Sequence, residues 1–283
     1  MSTLTLDTAP LKDGFGSEII GIDLAGADDA QLAAVVAEFH RTGAIVLRGQ
    51  QELEPEAFVR FGKAFGALNG HTLQDHILPG HPEVYVLSNR LEDGKPVGAH
   101  NDGIGWHTDL NYTAQPVMCT MLHAIEVPPE GSDTLLADQC AAFAALPAER
   151  QAELSKLKQI HSFEYLATMR SEGRKVVPPE VLRANPDVVH PLVRSHPADG
   201  RKALWVSSLT PGFVGWSTAD SNVLIDELIA WVTQDRFVYR HKWQVGDVLV
   251  WDNRCTLHTG TLFDDTRYIR EMHRMWVKGD RPY

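Results

Sequence analysis

The run Val248-Leu249-Val250-Trp251-Asp252-Asn253-Arg254-Cys255-Thr256-Leu257-His258-Thr259-Gly260 joins a β-rich segment to a turn, and then to a histidine beside a glycine. Val248 to Trp251 are apolar β-formers in the length of a short strand, and Asp252-Asn253 is turn chemistry. Runs of the same kind recur at Val84 to Leu87, Val117 to Ala124 and Ala203 to Ser207, separated by clusters of Gly, Pro and Asp. Short strands at that spacing predict an antiparallel sandwich or barrel.

Toward the N-terminus, Ala44 to Leu47 reads as a buried strand. Asp28 and Asp29 precede Leu32, Val35, Val36 and Phe39 at helical spacing, with Gly43 as the stop. Pro55 opens a second amphipathic helix through Phe58, Phe61 and Phe65 that ends at Gly66. Further helices are expected at Ala141 to Leu157 and at Ser221 to Thr233, where Val223, Leu224, Leu228 and Trp231 give an apolar face. These helices flank the strands without alternating regularly, and no G-x-G-x-x-G or Walker-type loop occurs, which disfavours a doubly wound nucleotide fold. Residues 161–191 lack periodicity and suit either a mobile lid over a site or an irregular surface insertion.

The 283 residues carry 26 Lys plus Arg against 37 Asp plus Glu, a formal net charge of −11 that argues against a nucleic-acid-binding surface. With 43% hydrophobic residues the chain fills a sizeable core. No repeat or composition break marks a linker, so one domain over 1–283 is expected. No apolar run approaches the roughly 18 residues of a membrane span, and Met1 to Pro10 lacks a secretory pattern, so a cytoplasmic protein without a membrane partner is expected. Cys119, Cys140 and Cys255 have no C-x-x-C spacing and read as buried thiols.

Thirteen histidines raise the question of a metal. H-x-D occurs twice, in His100-Asn101-Asp102 and in His107-Thr108-Asp109, where composition alone yields about one. The first lies in a Gly-rich loop. In Trp106-His107-Thr108-Asp109-Leu110-Asn111-Tyr112, strand alternation would put His107 and Asp109 on one face. Two histidines and one carboxylate leave three adjacent positions open on an ion, the arrangement suited to non-haem Fe(II) oxygen chemistry. His258 is the best third candidate, and a satisfied core or surface histidine is the plainer alternative for each.

In Tyr268-Ile269-Arg270-Glu271-Met272-His273-Arg274-Met275-Trp276-Val277, a period of two puts Arg270, Met272, Arg274 and Trp276 together. Both faces mix apolar and charged groups, so alternation does not say which points inward. If the arginine face is the inner one, two permanent cations need anionic partners there. An edge strand with solvated arginines is the competing reading.

Taken in order, Trp106-His107-Thr108-Asp109, Gly131-Ser132-Asp133-Thr134, His190-Pro191-Leu192-Val193-Arg194 through Gly200-Arg201-Lys202, Trp251-Asp252-Asn253-Arg254 to His258, and Arg270 with Arg274 resemble the taurine/2,4-dichlorophenoxyacetate dioxygenase family of Fe(II)- and 2-oxoglutarate-dependent oxygenases. The resemblance covers nearly the whole chain. It implies a mainly β protein with flanking helices around a double-stranded β-helix (jelly-roll, cupin-like) core, with His107, Asp109 and His258 as iron ligands. It assigns the distal carboxylate of 2-oxoglutarate to Arg270 and Thr134. It also matches Arg274 and His71 to substrate-contacting positions, with Tyr112 and Phe163 as further substrate candidates and Tyr165 and Met169 near them. Where taurine-type members have an asparagine four residues before the first ligand, this chain has Gly103, which points away from taurine.

The implied activity is hydroxylation of a C–H bond in a small anionic substrate, an aryloxyalkanoate, sulfonate or sulfate ester. It is coupled to decarboxylation of 2-oxoglutarate to succinate and carbon dioxide with O2 as oxidant. The family implies a homo-oligomer, dimer or tetramer. A zinc hydrolase on the same His/Asp/His set is the alternative from another class, and a binding protein without turnover is a third.

Overall fold

The computed structural model describes residues 4–71, 74–100, 103–169 and 178–283. The architecture is mainly β with flanking helices. Val248–Asp252 lies between Ala44–Leu47 and Cys119–Glu126, antiparallel to both. Cys119–Glu126 then pairs with Glu271–Val277, and that strand with His81–Ser88. Beyond Ala44–Leu47 the sheet is extended by Phe15–Ile20 and Asp7–Lys12. A second sheet sets Thr134–Asp138 between Val238–His241 and Thr256–Gly260.

Alternation sorts the large sheet's side chains into two layers. Val248, Val250, Met121, Met275 and Val277 face Val35, Phe39, Phe58 and Phe61 of the helices Asp29–Thr42 and Pro55–Phe65. Leu249, Trp251, Leu122 and Met272 face the other way and pack on Leu136 of the second sheet. Burial on both faces is why Val248 to Trp251 is continuously apolar. Each fully buried large side chain contributes about 1.5–3 kcal/mol. On the far side of the second sheet, Ala137 and Leu257 pack under Leu224, Leu228 and Val232 of the helix Thr218–Val232.

The N-terminal punctuation acts as expected. Asp28 caps Asp29–Thr42 in a reciprocal box with Gln31, and Gly43 closes that helix at φ 79°. Pro55–Phe65 begins at its proline. Ala141 to Leu157, expected as one helix, is two, Gln139–Ala144 and Ala148–Leu154. Pro147 divides them, because it has no N–H to donate and biases the residue before it away from the helix. In Ala203 to Ser207 the strand is limited to Lys202–Leu204, since Trp205 turns inward to donate its indole N–H to the carbonyl of Asn253. The three cysteines are free and buried, and no helix among the described residues is long and apolar enough to cross a membrane.

Candidate active site

The inner faces of the two sheets meet at a cavity lined by His107, Asp109, Thr120, Thr134, His258, Arg270 and Arg274. His107 and His258 are clamped backbone to backbone, each N–H donating to the other's carbonyl at 2.9 Å, and their rings stand 4.2 Å apart. This single bridge replaces the strand expected through Tyr112. Immediately after it the chain turns, with Leu110 at φ 49°, and His107 and Asp109, two residues apart, both face the cavity.

The ligand-type atoms of His107, Asp109 and His258 lie within 4.8 Å of one another, and all three residues are buried. His107 Nδ1 donates to the Gly105 carbonyl at 2.7 Å. That leaves Nε2, 3.7 Å from Asp109 Oδ1, as the ring nitrogen that faces the carboxylate. His258 Nε2 stands 3.7 Å from Asp109 Oδ2. These imidazole–carboxylate contacts are longer than hydrogen bonds. Burial alone would raise the Asp109 carboxyl, but His258, His107 and Arg274, with the Thr120 hydroxyl, hold it well below the usual carboxylate range. A buried, ionised carboxylate converging with two imidazole nitrogens is a donor set that fits a divalent cation such as Fe(II).

Three groups that the sequence reading gave no role orient that carboxylate. Thr120 Oγ1 donates to Asp109 Oδ2 at 2.5 Å, and Trp276 Nε1 donates to the same oxygen at 3.2 Å. Asn253 donates to Thr120 Oγ1 at 2.8 Å, and its own carbonyl accepts from the Asp109 N–H. Trp276 and Thr120 are register partners on adjacent strands, 156 positions apart in sequence, so no local signal links them. Asn253 was signalled only by its place in the Trp251-Asp252-Asn253-Arg254 turn.

The arginine face is the inner one. Met272 packs between the sheets, while Met275 and Val277 lie under the helices. Arg270, just ahead of the strand, reaches the cavity, and among the described residues its guanidinium has no carboxylate partner. Burial lowers its pKa to about 10. Thr134 also lines the cavity, its Oγ1 accepting from Trp243 Nε1 at 3.1 Å. The Arg274 guanidinium lies over the faces of Trp276 (4.2 Å) and Tyr85 (4.9 Å). His71 stacks between the same two rings at 4.7 and 4.9 Å. Burial, with Arg274 nearby, lowers His71 to about 4. Facing the Glu83 carbonyl at 3.1 Å, His71 Nε2 carries the ring's one proton, so Nδ1 is an acceptor.

Tyr112 and Phe163 do not line the cavity. Their rings pack at 4.9 Å in an apolar cluster with Leu110 and Trp276 beside it. Tyr165 is half-buried on the helix Phe163–Met169, and the side chain of Met169 lies outside the described residues. Of the first H-x-D, His100 pairs with Asp265 at 3.0 Å away from the cavity, and Asn101 and Asp102 lie outside the described residues. Gly103 sits at the rim at φ 91°, its carbonyl accepting from the Gly260 N–H. An asparagine would be strained in that backbone conformation.

A second group of ligand-type side chains, His196, Asp252 and Cys255, lies behind His258. It is an ion network instead of a cation site, because Arg254 already donates to both oxygens of Asp252, at 2.8 and 2.5 Å. His196 Nε2 donates to the same carboxylate at 3.0 Å and, against the opposing effect of burial, that bond raises its pKa to about 9. The network ties the turn ahead of Thr256–Gly260 to the His196 loop.

A mainly β scaffold here gathers two imidazoles, a carboxylate and two arginines between its sheets, a set of groups that suits a divalent cation beside an anion. The chain belongs to the family described as "Taurine catabolism dioxygenase TauD, TfdA family", which matches residues 7–276. It is 33% identical to the alpha-ketoglutarate-dependent 2,4-dichlorophenoxyacetate dioxygenase of Cupriavidus pinatubonensis, over 96% of this chain and 97% of that one. It is 31% identical to the alpha-ketoglutarate-dependent sulfate ester dioxygenase of Pseudomonas putida, over 99% and 91%. Among solved structures it resembles AAD-2 in complex with Mn(II) and N-oxalylglycine, with a TM-score of 0.85, 28% identity and 99% coverage of both chains.

Proposed function

We propose that this chain is an Fe(II)- and 2-oxoglutarate-dependent dioxygenase. It hydroxylates a C–H bond of a small anionic substrate of the aryloxyalkanoate, sulfonate or sulfate ester class. Substrate, 2-oxoglutarate and O2 give hydroxylated product, succinate and CO2. The observation that carries the proposal is one cavity holding both the His107, Asp109 and His258 donor set and Arg270, a desolvated cation with no carboxylate partner among the described residues. Relatives named for aryloxyalkanoate and sulfate ester substrates support the substrate class. None of those quoted is named as a hydrolase, so the zinc alternative gains nothing.

Bound at His107, Asp109 and His258, Fe(II) supplies the redox chemistry that activates O2. The chain's own part is to bind, orient and exclude water. Arg270 offers a rigid fork to the distal carboxylate of 2-oxoglutarate. Trp243 occupies the acceptor side of the Thr134 hydroxyl, leaving its proton to donate to the same carboxylate. Arg274 meets the substrate's anionic group, held in place by the rings of Trp276 and Tyr85. His71, neutral and with its Nε2–H donated to the Glu83 backbone carbonyl, does not line the cavity; it packs on the Tyr85 and Trp276 rings that hold Arg274 and leaves charge recognition to Arg274. Tyr112 and Phe163 back the apolar side.

We read the two facing sheets as the double-stranded β-helix of one domain, with residues 161–191 as a lid, of which 170–177 lie outside the described residues. A cytoplasmic homo-oligomer completes the reading. The test is an anaerobic titration of metal-free protein with Fe(II) and 2-oxoglutarate. A visible charge-transfer band in the wild type and none in His107→Ala supports the proposal, followed by succinate release on a panel of anions. No band, with zinc retained on purification, overturns it.

A further inference from the structure

We infer that Trp276 is a positioning residue that holds the metal-binding carboxylate and the substrate arginine through opposite properties of one side chain. The inference rests on the reading of Asp109 as a metal ligand.

Trp276 is buried on the inner face of Glu271–Val277. Its indole edge donates to Asp109 Oδ2 at 3.2 Å, where the Thr120 hydroxyl donates at 2.5 Å. Two donors on one carboxylate oxygen hold the group in a single orientation. Oδ1 has no such donor among the described residues. The pair of donors thereby fixes the orientation of the carboxylate between His107 and His258, with Oδ1 toward the first ring and Oδ2 toward the second. Meanwhile the π face of the same indole lies 4.2 Å under the Arg274 guanidinium and 4.7 Å from the His71 ring. Edge and face are separable, because phenylalanine keeps a face for Arg274 and has no N–H for Asp109. Ordinary packing does not require the indole N–H to aim at the one carboxylate of the site.

Mn(II) binding to metal-free protein, followed by loss of the free-ion electron paramagnetic resonance signal, tests the assignment. Orienting hydrogen bonds to metal ligands are worth about 10–100-fold in metal affinity. W276F is expected to weaken Mn(II) binding by that factor while the melting temperature of the metal-free protein stays near the wild-type value. Thr120→Val, which removes the companion donor, is expected to act in the same direction, and Thr120→Ser to restore wild-type affinity.

Wild-type Mn(II) affinity in W276F, with His107→Ala impaired, overturns the inference while leaving the metal site intact. A lowered melting temperature with unchanged Mn(II) affinity reduces Trp276 to packing and also overturns it. Absence of tight Mn(II) binding in the wild type, or no effect of His107→Ala, fails the underlying reading instead. If W276F does not fold, Thr120→Val and Thr120→Ser carry the decision.

Discussion

Replacing Arg270 with methionine should make the protein more stable and its 2-oxoglutarate site useless. The guanidinium is desolvated without a compensating anion among the described residues, and burial brings its pKa down to about 10. At about 1.4 kcal/mol per pH unit, a drop of that size disfavours the charged form by about 3 kcal/mol. Because the folded pKa lies below the unfolded one, the unfolded chain binds more protons above about pH 10, and wild-type stability should rise with pH there. At neutral pH the cost stands in full. A length-matched apolar side chain removes it, and with about 2 °C per kcal/mol for a chain of this size the unliganded melting temperature should rise by up to about 6 °C. The carboxylate loses a charged fork worth about 3 kcal/mol, about a hundredfold in affinity. Differential scanning fluorimetry of the Mn(II) protein with and without 2-oxoglutarate reads both effects. A methionine variant that melts lower and still gains stability from 2-oxoglutarate would refute the reasoning, since the arginine would then be a structural cation with a partner.

Trp243→Phe takes the donor off Thr134 and lets its hydroxyl rotate, so 2-oxoglutarate affinity in the Mn(II) protein should fall about 3- to 10-fold by calorimetry, with substrate-site residues untouched. His196, raised to about 9 by Asp252, contributes stability that is complete below its ordinary pKa near 6.5 and is lost as pH rises through about 9. The wild-type melting temperature should therefore decline over that window by the equivalent of about 3 kcal/mol, and His196→Gln should flatten the decline. An unflattened decline would assign it to another group. Gly43→Ala should cost about 1 kcal/mol in urea unfolding, because the backbone sits at φ 79° while the added methyl meets only ordinary contacts, Phe15 at 3.4 Å and Cys255 at 3.5 Å.

What the sequence made legible were elements whose code is local. The Asp28 cap, the Gly43 stop and the Pro55 start each act within one helical turn, and the continuous apolar run at Val248 to Trp251 marks a strand buried on both faces. Pro147 was equally local, and weighing it would have split the helix that was expected whole. The arginine face was undecidable because the outer face of Glu271–Val277 is itself polar in part. His273 sits there near His123, under the helix that carries Phe58, and burial lowers it to about 4, so a histidine on that face behaves as a neutral core residue. Mixed faces of this kind defeat period-two reading whatever the window.

The two-residue spacing of His107 and Asp109 does set both on the cavity, although the strand expected around them is reduced to one bridge. Past Asp109 the chain leaves in a turn with Leu110 at φ 49°, a conformation its residue type does not announce. Such a turn holds only when its surroundings over-determine it. Here they do, since Asp109 is fixed from its N–H by Asn253 and from its carboxylate by Thr120 and Trp276. These contacts come from three strands or turns far apart in sequence. The chemistry of the triad is therefore written locally in H-x-D, whereas its geometry is written in strand register, where Thr120 stands opposite Trp276 and Leu136 opposite His258. A substitution that preserved H-x-D but slipped either register by one residue would turn every inward side chain outward. The first slip would take Arg274 from the cavity and the second Thr134 or His258, even though all the recognisable motifs remained in the sequence.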